Sequence, residues 1–203
     1  MMIKKVCGMR DADNIRAVEQ LGIDWMGFIF WPKSSRYVSE KPAYLPTRCK
    51  RVGVFVDADT EDVLRHIEDY GLDIVQLHGH ESPDYIRALA APLPCKMIKA
   101  VSVESRDDIA AYRTYDGLVD YFLFDTKCKT VGGSGEHFDW SVLDAYDGQT
   151  PFLLSGGIGP GDRERLRHFH HPLLAGIDLN SRFELSPALK DIDQLKQFLY
   201  EQD

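Results

Sequence analysis

Cysteine is scarce in this chain, long apolar runs are missing, and positive charge is in the minority. The four cysteines (Cys7, Cys49, Cys95 and Cys128) stand far apart with no Cys-x-x-Cys pair, which suggests neither a disulfide framework nor a zinc site. No apolar stretch approaches the roughly 18 residues that a membrane span needs. The opening Met-Met-Ile-Lys-Lys-Val-Cys-Gly holds no long apolar segment and no small-residue cleavage site, so a secretory leader is not expected. Lysine and arginine total 24 against 32 aspartates and glutamates, a net charge of −8. A chain so acidic has no general attraction for nucleic acid or for an anionic membrane surface, and any anion it binds must be held by a local site. These absences predict a cytoplasmic protein without nucleic-acid or membrane partners. With no apolar stripe marking an interface, a monomer is the default expectation.

What is present is a repeating pattern. The 203 residues amount to one domain at roughly 150 residues per domain, with 44% hydrophobic and 28% charged residues, ordinary values for a globular protein. Short runs of β-branched, aromatic or aliphatic residues begin at Ile3, Trp25, Arg51, Ile74, Lys96, Tyr121, Phe152 and Ala175. Several are nearly continuous in apolar residues, as strands of a parallel sheet buried on both faces should be. Helical spacing separates many of them: Ile15, Val18 and Leu21 fall on one face, as do Ile192, Leu195 and Leu199. Ser82-Pro83 ahead of Tyr85 pairs a capping hydroxyl with a proline at the first helical position. Pro42 and Pro46 make any helix between Ser39 and Thr47 short or irregular.

Strand and helix in alternation imply parallel pairing through crossovers, which for eight strands leaves an open doubly wound sheet or a closed barrel. No Gly-x-Gly-x-x-Gly follows the first strand, which counts against the open dinucleotide-binding sheet. The reading is α/β, a single (β/α)8 TIM barrel over residues 1–203, a small variant with some short helices: about 25 residues per unit, where such barrels typically total about 250 residues.

In such a barrel the loops after the strand C-termini build the active site, and the unusual residues collect there. Cys7-Gly8 follows the first strand, a segment containing Arg36 the second, and His78-Gly79 the fourth. Asp125 ends the sixth, ahead of Gly132-Gly133-Ser134-Gly135, the seventh leads into Ser155-Gly156-Gly157, and Asp178 precedes Asn180-Ser181 after the eighth. Gly156-Gly157 lets backbone amides approach a ligand, and Asn180-Ser181 reads as the start of a short helical turn running to Glu184, a setting that suits a phosphate. Two ordinary glycine turns are the alternative. A strand cysteine is more often a small buried hydrophobe than a reactive thiol. A carboxylate directly after an apolar strand is costly unless partnered or useful, which raises Asp125. If they face each other across the barrel mouth, one can remove a proton while the other donates one. Arg36 alone reads as a surface charge, and Lys190, Asp193 and Lys196 as solvated positions near the last helix.

Several segments occur in order along nearly the whole chain: Lys5-Val6-Cys7-Gly8, Gly27-Phe28-Ile29-Phe30, Ser35-Arg36-Tyr37-Val38, Val75-Gln76-Leu77-His78-Gly79, Asp125-Thr126, Gly132-Gly133-Ser134-Gly135, Phe138-Asp139-Trp140, Gly156-Gly157-Ile158, Gly176-Ile177-Asp178 and Lys190-Asp191. Together they resemble the phosphoribosylanthranilate isomerase family. The resemblance implies an Amadori rearrangement of N-(5′-phosphoribosyl)anthranilate in tryptophan biosynthesis, with a sugar-phosphate substrate and no metal or organic cofactor. It implies Cys7 as general base and Asp125 as general acid. It places Arg36 on the anthranilate moiety, and the substrate phosphate on loops six to eight, with Gly133, Gly135, Gly156, Gly157, Asp178, Asn180 and Ser181 as binding residues. Cationic neighbours would favour the Cys7 thiolate. The chain departs from the family at Ser35, Ser155 and Arg182-Phe183. The alternatives are the aldose–ketose isomerase of histidine biosynthesis, which resembles this chemistry but uses an aspartate where this chain has Cys7, and a catalytically silent sugar-phosphate binder, which has no need of an acid and a base.

Overall fold

The computed structural model describes residues 2–91, 94–126 and 139–200. Eight parallel strands close into a barrel in chain order: β1 (Ile3–Val6), β2 (Trp25–Ile29), β3 (Lys50–Phe55), β4 (Ile74–Leu77), β5 (Lys96–Val103), β6 (Tyr121–Thr126), β7 (Phe152–Ser155) and β8 (Leu174–Leu179). Closure is made by β8 against β1, in a register that sets Ile3 opposite Gly176 and Lys5 opposite Asp178. Every apolar run singled out in the sequence is one of these strands, with its start moved by at most one residue.

Period-two alternation explains both faces of the sheet. One set of side chains, Trp25, Val52, Ile74, Ile98, Leu123 and Leu153, meets inside the barrel as an apolar layer. Their neighbours along each strand, such as Met26, Val75, Phe122 and Phe152, point outward into a larger core beneath the helices. Burial on both sides is why the strands read as unbroken apolar runs. Two residues beyond the inner layer, the same inward face carries Val54, Gln76, Asp125 and Ser155, and these line a cavity at the strand C-termini.

The helices are α1 (Ala12–Gln20), α2 (Thr60–Tyr70), α3 (Pro83–Ala90), α4 (Arg106–Ile109), α5 (Arg163–His168) and α6 (Ile192–Tyr200). Ser82 caps α3 through its hydroxyl, which accepts from the Tyr85 amide at 3.2 Å, with Pro83 in the first turn, as the sequence predicts. Asp11 does the same for α1, accepting from Asn14 at 2.8 Å. Two connections are abbreviated: α4 has four residues before a 3₁₀ turn, and residues 39–47 form no helix. In that proline-containing segment Glu19 of α1 replaces the missing helical ladder, accepting from the Tyr44 hydroxyl and from the amides of Thr47 and Arg48 at 2.5 and 2.6 Å. After β8 the chain makes a 3₁₀ turn (Ser181–Phe183) and a small antiparallel hairpin, β9 (Glu184–Ser186) with β10 (Leu189–Lys190), before α6. No helix among the described residues is long and apolar enough to cross a membrane.

Candidate active site

The cavity has a volume of about 170 Å³ and opens at the C-terminal end of the barrel. Seven of the expected catalytic and binding residues line it, Cys7, Asp125, Gly156, Gly157, Asp178, Asn180 and Ser181, together with His78 and Ser155 from the same strand ends. Arg36 is not in its lining but sits beside it, next to Gly8 and Asn180. Gly133 and Gly135 lie outside the described residues, as does Cys128. The remaining cysteines are unpaired among the described residues.

Cys7 follows β1 and is held in the barrel wall by its amide, which donates to Leu179 O at 2.9 Å. The thiol is buried, and burial is the largest influence on it, pushing its pKa above the usual cysteine value; Lys5 and Lys190 pull in the other direction without prevailing. The cationic neighbours expected from the chemistry are therefore present, and the net effect still favours the neutral thiol. Lys5 lies two residues earlier on the same inward face, fully buried, and its ammonium meets Asp178 Oδ1 at 2.8 Å. Burial disfavours the charged lysine, but Asp178 and the Cys7 sulfur outweigh it and raise the Lys5 pKa. The second Asp178 oxygen accepts from the Ser155 hydroxyl at 3.3 Å.

Across the cavity Asp125 Oδ2 lies 3.4 Å from His78 Nε2. The Gln76 amide nitrogen is 2.9 Å from His78 Nδ1, an arrangement in which Nδ1 accepts and Nε2 carries the proton facing Asp125. Gln76 Oε1 is buried without a hydrogen-bond partner among the described residues, an acceptor left over in the wall of the cavity.

The wall between β7 and β8 is backbone. Gly156 has φ +89°, and a Cβ there would lie 1.9 Å from Thr126 O, so only glycine fits. The Thr126 hydroxyl fastens this turn by donating to Ser155 O at 2.7 Å. Among the described residues no acceptor faces the amides of Gly157 and Ser181, which are available to an anion.

Arg36 departs from the picture of a free fork. Its Nε lies 2.9 and 3.0 Å from the two Glu184 oxygens, and Nη2 donates to Oε2 at 2.6 Å. Lys190, expected on a solvated surface, is instead 1% exposed, because its ammonium turns inward to Glu184 Oε1 (2.5 Å) and Asn180 Oδ1 (2.8 Å). It belongs to the hairpin rather than to α6. Arg182, where the chain departs from the family pattern, is exposed and does not line the cavity. Sequence reasoning thus missed Lys5, Gln76, Glu184 and Lys190. Lys5 and Gln76 carried a local signal, a charged or polar side chain at an inward position of an apolar strand.

A closed parallel barrel with a thiol, a carboxylate and unengaged amides around one cavity at its strand C-termini defines a (β/α)8-barrel enzyme. The family model for N-(5′-phosphoribosyl)anthranilate isomerase matches residues 4–201, and the chain belongs to that family of isomerases. It is 53% identical to the N-(5′-phosphoribosyl)anthranilate isomerase of Phocaeicola vulgatus, over 97% of this chain and 98% of the relative. It is 50% identical to that of Parabacteroides distasonis, over 98% and 92%. The barrel superimposes on the crystal structure of phosphoribosyl anthranilate isomerase from Thermotoga maritima with a TM-score of 0.81 and 32% identity, covering 98% of this chain and 97% of the other. A phosphoribosyl anthranilate isomerase in complex with reduced 1-(o-carboxyphenylamino)-1-deoxyribulose 5-phosphate matches with a TM-score of 0.80 and 31% identity over the same shares.

Proposed function

We propose that Cys7 and Asp125 are the base and the acid of the reaction of this family, the Amadori rearrangement of N-(5′-phosphoribosyl)anthranilate to 1-(2-carboxyphenylamino)-1-deoxyribulose 5-phosphate. The observation that carries the reading is that a thiol on β1 and a carboxylate on β6 line one cavity beside the unengaged Gly157 and Ser181 amides.

Those amides take the substrate phosphate, with Asn180 beside them. Asp125, protonated, gives its proton to the ribose ring oxygen as the C1′–O bond breaks, and the nitrogen lone pair forms the Schiff base. The iminium acidifies the C2′ proton, which Cys7 takes as thiolate; the electron pair left behind makes the enolamine. Tautomerisation to the ketone puts a proton on C1′ and removes one from the C2′ hydroxyl, which restores the Cys7 thiolate and the protonated Asp125. The electron pairs stay within one substrate, and the protons pass between it and these two side chains. His78 and Gln76 hold the Asp125 side of the cavity, and Asp178 acts through Lys5 and Ser155. Arg36 presents its remaining Nη1 edge to the anthranilate carboxylate, since no described residue accepts from Nη1.

On this reading the acting unit is a monomer in the cytoplasm, the expectation from a sequence that shows neither an apolar interface stripe nor a disulfide framework. A solved relative from Thermotoga maritima is described as dimeric, so sedimentation of this chain decides the point. For the activity, freshly made phosphoribosylanthranilate is supplied and the fall of anthranilate fluorescence followed. Turnover by the wild-type chain and its loss in Cys7→Ser and Asp125→Asn are expected; unchanged turnover in either variant overturns the role given to that residue.

A further inference from the structure

Glu184 is engaged more heavily than any simple surface carboxylate. Its side chain is 4% exposed, yet it takes the Nε and Nη2 groups of Arg36, the Lys190 ammonium at 2.5 Å and the Ala188 amide at 3.2 Å. Both cations lie next to the cavity. Lys190 also reaches Asn180, a lining residue, at 2.8 Å. Its backbone is fixed from α1 by Asn14, whose Nδ2 donates to Lys190 O at 2.9 Å and whose Oδ1 accepts from Lys190 N at 2.8 Å. Arg36 approaches from β2 across Gly8, where a Cβ would lie 2.7 Å from Arg36 Cδ and 2.7 Å from Asn180 Oδ1.

We propose that Glu184 is a positioning residue for the reaction: its buried carboxylate fixes the plane of the Arg36 guanidinium and draws Lys190 in beside Asn180, so that one edge of the arginine fork faces the substrate's aromatic carboxylate. A guanidinium offers carboxylates more than one edge, and Glu184 occupies the Nε/Nη2 edge, leaving the Nη1/Nη2 edge. The charges of Arg36, Lys190 and Glu184 sum to +1, which matches one carboxylate. Without Glu184 the two cations repel, and the arginine stem has no acceptor to hold its rotamer before substrate arrives. The donors of Arg36 and Lys190 overcome the effect of burial and hold the Glu184 pKa below the usual glutamate range, so it is ionised at neutral pH. The inference rests on the reading of Arg36 as the partner of the substrate carboxylate.

The test is a double-mutant cycle with Glu184→Gln, Arg36→Met and the double variant. Affinity is measured by calorimetry for the reduced 1-(o-carboxyphenylamino)-1-deoxyribulose 5-phosphate and for inorganic phosphate, and the steady-state constants are taken alongside. Arg36→Met is expected to weaken the reduced analogue by about tenfold or more, the scale of a lost charge-assisted pair. Glu184→Gln is expected to weaken it by at least about threefold on the same scale, with phosphate affinity lowered less, through Lys190 and Asn180, and KM raised more than kcat is lowered. The double variant is expected to bind the analogue no worse than Arg36→Met alone. Wild-type analogue affinity in Glu184→Gln, additive losses in the double variant, or equal losses for analogue and phosphate each overturn the proposal. An unchanged analogue affinity in Arg36→Met overturns instead the reading of Arg36, and the proposal with it.

Discussion

The ammonium of Lys5 and the carboxylate of Asp178 meet at 2.8 Å inside the barrel, on the two strands whose pairing closes it, one inward position below the Cys7 thiol. Lys5 is fully buried and Asp178 reaches only the cavity, so each charge depends chiefly on the other. A buried pair of this kind adds little over a well-packed apolar alternative, but removing one partner strands the other's charge.

Lys5→Met is therefore expected to destabilise the fold by about 3–5 kcal/mol, and Lys5→Met with Asp178→Asn to recover part of the loss. Urea unfolding at pH 7 measures both. The pH dependence has a definite sign. The Lys5 pKa is raised in the folded state, so its contribution is fully present below the unfolded lysine value of about 10.4 and is lost as pH rises through the higher folded value. The wild-type advantage over the double variant should be level through neutral pH and shrink only above about 10.4.

For the acid–base pair, Cys7→Ser and Asp125→Asn should each lower kcat by about 10²–10⁴-fold with KM moved much less. Fluorescence kinetics on fresh substrate reads both constants. A variant that loses affinity and keeps kcat contradicts the assignment.

A pH profile separates Cys7 from its neighbours. Burial holds its thiol above the usual cysteine pKa while Lys190 lowers it, so the ascending limb of kcat/KM should lie above about 8.5 in the wild type. Removing the cation in Lys190→Met should move that limb to still higher pH, costing activity at pH 7 and sparing it at alkaline pH. A uniform loss at every pH would assign Lys190 a purely structural task.

At the turn after β7, Gly156→Ala forces a Cβ to within 1.9 Å of Thr126 O at a backbone φ of +89°. The turn must shift, carrying the Gly157 amide away from the cavity. Phosphate inhibition should weaken by about tenfold, the scale of a lost hydrogen bond to a charged ligand, while the barrel stays folded by circular dichroism.

Much of this was legible one strand at a time. The apolar run Tyr121–Phe124 announces a strand, and period two then places Asp125 on the inward face above Leu123. The same step places Cys7 above Lys5 and Ser155 above Leu153. Residues 39–47 show the converse: the prolines weaken the helix in the sequence, but Glu19, on a different element, is what organises the segment.

By itself, then, the sequence determined the eight strands, the barrel, and the thiol and carboxylate at strand ends, because each follows from periodicities only a few residues long. Only the tertiary structure decided who partners whom. Lys5 and Asp178 are separated by 173 positions, and Arg36 and Glu184 by 148; no local pattern links them until β8 closes on β1. Lys190 reads as a solvated lysine in its own segment and is buried because the hairpin packs on α1 through Asn14, where Glu184 and Asn180 offer it acceptors and water does not reach. Burial and charge pairing are properties of the assembled surface, and a residue's chemistry in this site depends on neighbours that the chain supplies from its other end.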